Sequence, residues 1–384
     1  MSRTHAWHII SPEYPPQDGG VADYTQLVAL ELAARGDRVY VWAPAVTEAG
    51  PAEAGVEVHR LPGRFGPRAL AALGHELKAA GPGRILVQYV PQGFGMKGMN
   101  LPLCLWLLAR RRAGVSISIM FHEVSVRIAW RQPLRHSAIG IVNRAMVFVL
   151  TRAARRCFVA TPYWETLLRP FAPAGSAVIW LPVPSNLPLV DDPAGVRAVR
   201  KTLMVEGGMI LGHFGTAREA WIAERLAAVV LPLLRERPGA AFLLLGRDSL
   251  DLRGRLLAGA PELHARVRAS GPLAPSDLSR HLGACDMMLQ PYGDGVSTRR
   301  TSVMAALAHH RPVLTTTGIV TEPLWRQSGA VALVDVGDAV AMGAALAHLM
   351  DDAGERARLG AAAGALYAQR FDITHTIAAL REGC

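Results

Sequence analysis

The sequence predicts an α/β protein of two doubly wound lobes, each built on a parallel sheet. Short apolar runs alternate with longer amphipathic runs almost from end to end, the pattern of strands buried on both faces and joined by helices. A proline-rich break interrupts this alternation near the middle, after which it starts again. The chain has 384 residues, 51% of them hydrophobic, which is enough for two packed cores.

In the first half, residues 6–10, 39–43, 85–89, 116–121, 157–160 and 178–181 read as buried parallel strands. Between the first two, residues 21–35 carry Tyr24, Leu27, Val28 and Leu32 at helical spacing, and Gly36 is placed to end that helix. Residues 181–188 contain Pro182, Pro184 and Pro188 and run into Asp191-Asp192-Pro193, a composition that suits an extended linker between lobes. Strands are then expected at 209–214, 241–246, 266–270, 286–290, 312–316 and 330–334, and residues 338–380 read as mostly helical, with Ala and Leu on their apolar faces. The expected lobes are residues 1–183 and 190–369.

Charged residues make up 19% of the chain and no low-complexity tract appears, which argues against extended disorder. Lys plus Arg exceed Asp plus Glu by 41 to 31, and this excess favours anionic partners such as nucleotides, nucleic acid or an anionic membrane face. Residues 1–10 lack the basic and apolar stretches of a signal peptide. The apolar runs at 101–109 and 145–150 are too short to span a bilayer. The cysteines, Cys104, Cys157, Cys285 and Cys384, lie far apart, a spacing that suits neither a zinc site nor a disulfide framework and fits a reducing cytoplasm.

Open parallel sheets bind ligands at the carboxyl ends of their strands, and that rule selects a few loops. After the first strand, Gly19 and Gly20 precede a helix. Their amides are placed to approach an anion, though the same sequence also serves a plain connecting turn. It is not Gly-x-Gly-x-x-Gly, so a nicotinamide or flavin site is not indicated. His122 and Glu123 follow the strand at 116–121, with Arg127 nearby; His122 suits a sugar hydroxyl, and Glu123 suits orienting the His or contacting an acceptor. Gly215-Thr216-Ala217 leaves room for a diphosphate with Arg218 as counter-ion. The richest segment is 291–302, where Asp294, Gly295, Ser297, Arg299, Arg300, Thr301 and Ser302 gather at a strand-to-helix turn. Amides, hydroxyls and two cations there suit a phosphate cradle, with Asp294 as an expected sugar-hydroxyl acceptor, though the same residues also serve an ordinary N-cap at Thr301 or Ser302 with solvated arginines. Glu322, after the next strand, adds a carboxylate at the same rim.

The order of these loops resembles the GT-B glycosyltransferases, specifically the retaining enzymes of glycosyltransferase family 4, over essentially the full length. The Pro-Pro-Gln-Asp-Gly-Gly-Val-Ala-Asp-Tyr run at 15–24 is similar to that family's N-terminal glycine loop, near donor diphosphate and acceptor. His122 matches the family's His facing the donor sugar. Residues 211–218 are similar to its Val-Gly-Arg-Leu-x-x-x-Lys segment, with His213 at the Arg and Arg218 at the phosphate-binding Lys. Gly271 and Leu273, in Ser270-Gly-Pro-Leu273, match the turn whose backbone receives the nucleobase. The helix near 371–380 resembles the one that crosses back, so residues 370–384 are assigned to the first lobe. The family usually carries two Glu residues in a Glu-Gly-Phe-Gly…Glu-Ala-Met-Ala pattern. Aligned on Pro312-Val313, those positions hold Ser297 and Ala305, and aligned on Asp294-Gly295 the second carboxylate is again missing.

The resemblance implies two Rossmann-like lobes with a cleft between them, and transfer of a sugar from a nucleoside-diphosphate donor to an unidentified hydroxyl acceptor with retention of configuration. His122, Asp294 and Arg218 are the expected catalytic residues, with Tyr24, Tyr89 and Glu123 as acceptor contacts. Neither a metal, a further cofactor nor a nucleic-acid partner is expected: arginines and helix N-termini replace the metal, and no Asp-x-Asp motif appears. The collection of Arg218, Arg299 and Arg300 argues for retained activity, since uncompensated cations repel. Two rivals are another GT-B enzyme, such as a sugar-nucleotide epimerase or phosphorylase, and a non-catalytic sugar-nucleotide-binding partner subunit. Finally, Trp106, Trp130, Leu134 and Phe148 sit among many arginines between residues 101 and 156. Either they meet the inner face of an anionic membrane, or they pack inside the lobe under solvated arginines.

Overall fold

The computed structural model describes residues 4–48, 50–124, 134–203, 208–215 and 219–382, with the side chains of 134–137 left aside. The chain divides into two units, Met1–Pro182 with Ile373–Cys384, and Val183–Asp372.

The first unit is a seven-stranded parallel sheet of β1 (Ala6–Ile10), β2 (Arg38–Pro44), β3 (Val56–Leu61), β4 (Arg84–Tyr89), β5 (Ile117–Phe121), β6 (Arg156–Val159) and β7 (Ala177–Trp180), in the order β3-β2-β1-β4-β5-β6-β7. Its helices are α1 (Gly20–Ala34), α2 (Pro67–Ala80), α3 (Leu101–Arg112), α4 (Leu134–Ala153) and α5 (Pro162–Leu168). Sequence periodicity missed β3, because Glu57, His59 and Arg60 break its apolar run; it is an edge strand, half-exposed along most of its length. The crossovers through α2, α3 and α4 all advance in one direction across the sheet, so right-handed connections put these three helices on one face. A shared core confirms this, with Leu73, Leu103, Leu107, Met146 and Leu150 packed on Val87, Ile119 and Phe121.

The second unit contains α6 (Pro193–Leu203), β8 (Met209–Phe214), α7 (Ala220–Glu236), β9 (Ala240–Leu245), α8 (Ser249–Leu257), β10 (Val267–Ala269), α9 (Pro275–Ala284), β11 (Met287–Gln290), α10 (Thr301–Ala308), β12 (Val313–Thr317), α11 (Pro323–Ser328), β13 (Ala332–Asp335), α12 (Ala339–Asp351) and α13 (Ala353–Arg370). Its parallel sheet runs β10-β9-β8-β11-β12-β13. The expected linker is firmly held on this unit from Val183 onward. The Val183 amide donates to the Thr298 carbonyl at 3.0 Å and the Ser185 amide to the Tyr367 hydroxyl at 3.1 Å.

The last helix, α14 (Ile373–Arg381), belongs to the first unit. The Arg156 guanidinium donates to the carbonyls of Ala379 (2.8 Å) and Leu380 (2.7 Å), satisfying orphan acceptors at the helix end. Asp37, buried, accepts from Trp7 Nε1 at 3.0 Å and pairs with Arg381 at 3.3 Å.

Candidate functional site

In the second unit, the carboxyl ends of β8, β11 and β12 bring most of the expected donor residues together. The loop after β11 is anchored to β12: the Thr316 hydroxyl accepts from the Tyr292 amide (2.8 Å) and donates to its carbonyl (2.7 Å), and the Val296 amide donates to the Thr316 carbonyl. Gly295 lies at φ +93°, and any side chain there would collide with the Gly318 amide and the Thr321 hydroxyl, so glycine is required. The turn then enters α10, which no side chain among the described residues caps by accepting from its amides, apart from the Tyr292 hydroxyl at Val303. Tyr292 Oη also lies 2.8 Å from Ser302 Oγ, and Arg300 stacks over its ring at 4.7 Å. Gly215, just after β8, faces Ser302, where a Cβ would lie 3.5 Å from the hydroxyl, in ordinary contact. Thr216 and Arg218 lie outside the described residues.

Arg299 and Arg300 flank one carboxylate. Arg299 pairs with Asp294 at 2.7 Å and Arg300 with the other oxygen of the same group. Two expectations are thereby corrected. Asp294 is not a free acceptor, and the arginines are partly compensated, because the two guanidiniums share its one carboxylate and keep a net positive charge. The argument from mutual repulsion is reduced for this pair to the one positive charge that the shared Asp294 carboxylate does not neutralise.

Glu322 also departs from its expected role. It is 4% exposed, Oε1 accepts from the Thr298 amide (3.0 Å) and hydroxyl (2.7 Å), and Oε2 accepts from Trp325 Nε1 (2.6 Å). Its oxygens hold the 294–302 loop and leave no room for a sugar hydroxyl. Near them, three groups bury polar atoms that have no partner among the described residues: His213 Nε2, the Gln290 amide and Ser297 Oγ. Burial pushes the His213 pKa down to about 4, against the Leu289 carbonyl that its Nδ1–H meets at 2.8 Å. Gly271, at φ +64°, is pinned through its amide to Ser249 Oγ at 2.9 Å, with Leu273 half-buried beside the turn.

In the first unit, the amides of Val21 and Ala22 at the start of α1 both donate to Glu13 Oε1 at 3.1 Å. The expected anion position behind Gly19 and Gly20 is therefore filled by the chain's own carboxylate, and a side chain at Gly19 would collide with it. His122 is half-buried, with Nε2 2.8 Å from Gln88 Oε1, and burial pushes its pKa down to about 3. With Nε2–H donating to that oxygen, neutral His122 keeps an Nδ1 lone pair. The buried Tyr24 ring meets it edge-on at 4.8 Å, so Tyr24 positions the imidazole and does not face an acceptor. Tyr89 is corrected too. Its side chain is fully buried under α2–α4, packed on Phe94 and Phe121, because the strand alternation turns it into the core. Glu123 is exposed.

Glu13, Gln88, Gln290 and Tyr292 escaped the sequence reading. A buried Gln inside an apolar strand was the available signal for two of them, since an amide in such a place needs a partner. Among the described residues, no cluster of His, Cys, Asp or Glu could hold a metal ion.

Residues 209–352, which include β8, α10 and the loops just described, match the family model described as glycosyl transferases group 1. Over nearly its whole length the chain shares the fold of solved GT-B glycosyltransferases. Sucrose-phosphate synthase from Thermosynechococcus elongatus is 16% identical, with TM-score 0.71, over 98% of this chain and 97% of that one. WaaG, a glycosyltransferase involved in lipopolysaccharide biosynthesis, is 15% identical, with TM-score 0.68, over 99% and 100%. HepE from Anabaena, in complex with UDP and glucose, is 17% identical, with TM-score 0.67, over 98% of each chain. No curated protein sequence matches the chain.

Proposed function

We propose that this protein transfers a sugar from a nucleoside-diphosphate donor to a hydroxyl acceptor with retention of anomeric configuration, without a metal. The observation that carries the reading is the pair Arg299 and Arg300, held around one anion at the entrance of α10. A diphosphate presents the same chemistry as the Asp294 carboxylate, with more oxygens and more charge, so it competes for both guanidiniums and gains the open amides of the first helical turn. Fixed cations and amides aimed at the bridging oxygen stabilise the charge that develops as the nucleotide departs. Once released, the Asp294 carboxylate is available to sugar hydroxyls. The Leu273 amide suits a nucleobase, since the Gly271 amide is held by Ser249 and Pro272 has none, and Ser297 Oγ and the Gln290 amide supply polar groups without partners among the described residues. In the first unit, the neutral His122 offers Nδ1 to a hydroxyl, and exposed Glu123 suits an acceptor. The structural neighbour HepE is described in complex with UDP-glucose, which makes UDP the first probe.

Titration calorimetry with UDP tests the reading. Arg299→Ala and Arg300→Ala should each weaken UDP by about 1.5–3 kcal/mol, the worth of one charge-assisted contact. Unchanged UDP affinity in both variants would remove the basis of the proposal.

A further inference from the structure

The positive charge of this protein is confined to one stretch. Residues 77–164 carry thirteen Lys and Arg against a single acidic residue, Glu123, whereas the whole chain has 41 against 31; the rest therefore holds 28 against 30. Both α3 and α4 fall inside that stretch and contain no Asp or Glu. They lie side by side on one face of the first sheet, so their outward sides form a common surface.

That surface is apolar as well as cationic. On α4, Ile141 (62% exposed), Ala145, Phe148 (46%) and Arg152 are exposed at spacings of four, three and four residues, one stripe along the helix. On α3, Leu105 (51%), Ala109 and Arg112 form a second stripe, flanked by exposed Arg111. Met96 and Lys97 extend the surface from a turn that Asn143 of α4 ties down by donating to the Gly98 carbonyl at 2.6 Å. A groove of about 500 Å³ between α2 and α3, lined by His75, Lys78, Trp106 and Arg110 among others, adjoins it. Trp106 is half-buried, its ring 4.8 Å from Arg110, so it is not an exposed anchor. Arg127, Trp130 and Arg131 lie outside the described residues, as do the side chains of Leu134 and Arg135.

We infer that the α3–α4 face docks on the surface of an anionic lipid bilayer. Leu105, Ile141 and the uncovered face of Phe148 enter the headgroup and acyl boundary, and Arg111 and Arg112 meet lipid phosphates, while Arg152 stacks on the Phe148 ring and donates to the Phe148 and Phe171 carbonyls. A polyanion such as duplex DNA would pair with the arginines but gives three exposed apolar side chains nothing to enter. No helix among the described residues is long and apolar enough to cross a membrane, so the contact is peripheral.

Co-sedimentation of the intact protein with vesicles tests this without any transfer assay. Vesicles of phosphatidylcholine containing about 30% phosphatidylglycerol should bind it at low salt, and neutral phosphatidylcholine vesicles should not. High salt should release it, because exposed charges are screened. Combined Ile141→Glu and Phe148→Glu should reduce partitioning at least about tenfold with unchanged circular dichroism, and so should Arg111→Gln with Arg112→Gln, which touches no core contact. Absence of binding to anionic vesicles at low salt overturns the inference. So does undiminished binding by both variants, or complete displacement by duplex DNA at equal phosphate concentration.

Discussion

Replacing Glu322 separates a carboxylate that serves a ligand from one that serves the loop. Its oxygens take three donors: the Thr298 amide, the Thr298 hydroxyl and Trp325 Nε1, all in buried residues. Glu322→Ala leaves these donors without acceptors, at about 1–3 kcal/mol for each buried orphan. Allowing the hydroxyl to rotate toward another acceptor, the two remaining orphans cost about 2–6 kcal/mol, a large share of the stability of a typical domain. Glu322→Gln keeps one oxygen for Thr298 but turns an amide N–H toward Trp325 Nε1, a donor facing a donor, and should cost about 2 kcal/mol. Urea unfolding followed by circular dichroism measures both, and UDP titration of the folded variants runs beside it. Because the lost contacts position the 294–302 loop, stability and UDP affinity should fall together. The reasoning is refuted if Glu322→Ala lowers the unfolding free energy by less than about 1 kcal/mol while UDP binding weakens more than tenfold.

Acid should weaken the fold through histidines held neutral by burial, His213 fully and His122 partly. His122 and His213 titrate near 3 and 4 in the folded chain against an ordinary 6.5, so the unfolded state takes up protons first. Their stabilising effect is whole above about pH 6.5 and is lost as pH falls, by about 2 kcal/mol for each at pH 5. A flat urea midpoint between pH 7.5 and 5 would contradict this, and His122→Gln should lower the slope without abolishing it, since His213 and the buried His8 and His309, whose pKa values are also pushed down, keep contributing. Glu13→Ala strips the Val21 and Ala22 amides of their acceptor and should lower stability by about 1–2 kcal/mol in thermal unfolding. A change below about 0.5 kcal/mol would show that the contact does not cap α1.

The alternation of apolar and amphipathic runs determined the two sheets almost strand by strand, because a parallel strand must be apolar on both faces and its crossover helix must be amphipathic. It missed β3, which lies at a sheet edge and needs no such run. The sequence also marked the loops of the candidate site, since glycine, hydroxyl and arginine residues at strand ends are rare enough to stand out. Which atoms of those residues are free was decided only by tertiary packing. The pairing of Asp294 with Arg299 and Arg300, and the placement of Glu13 on the amides of α1, join groups five or more positions apart through turns whose geometry no local pattern encodes. Glu322 reaches Thr298 across 24 residues because β11 and β12 are neighbours, and strand order is a property of the whole sheet. Tyr89 looked like a site residue at a strand end, yet the direction of its side chain follows from which face α2–α4 cover, and that is fixed only when the crossovers close.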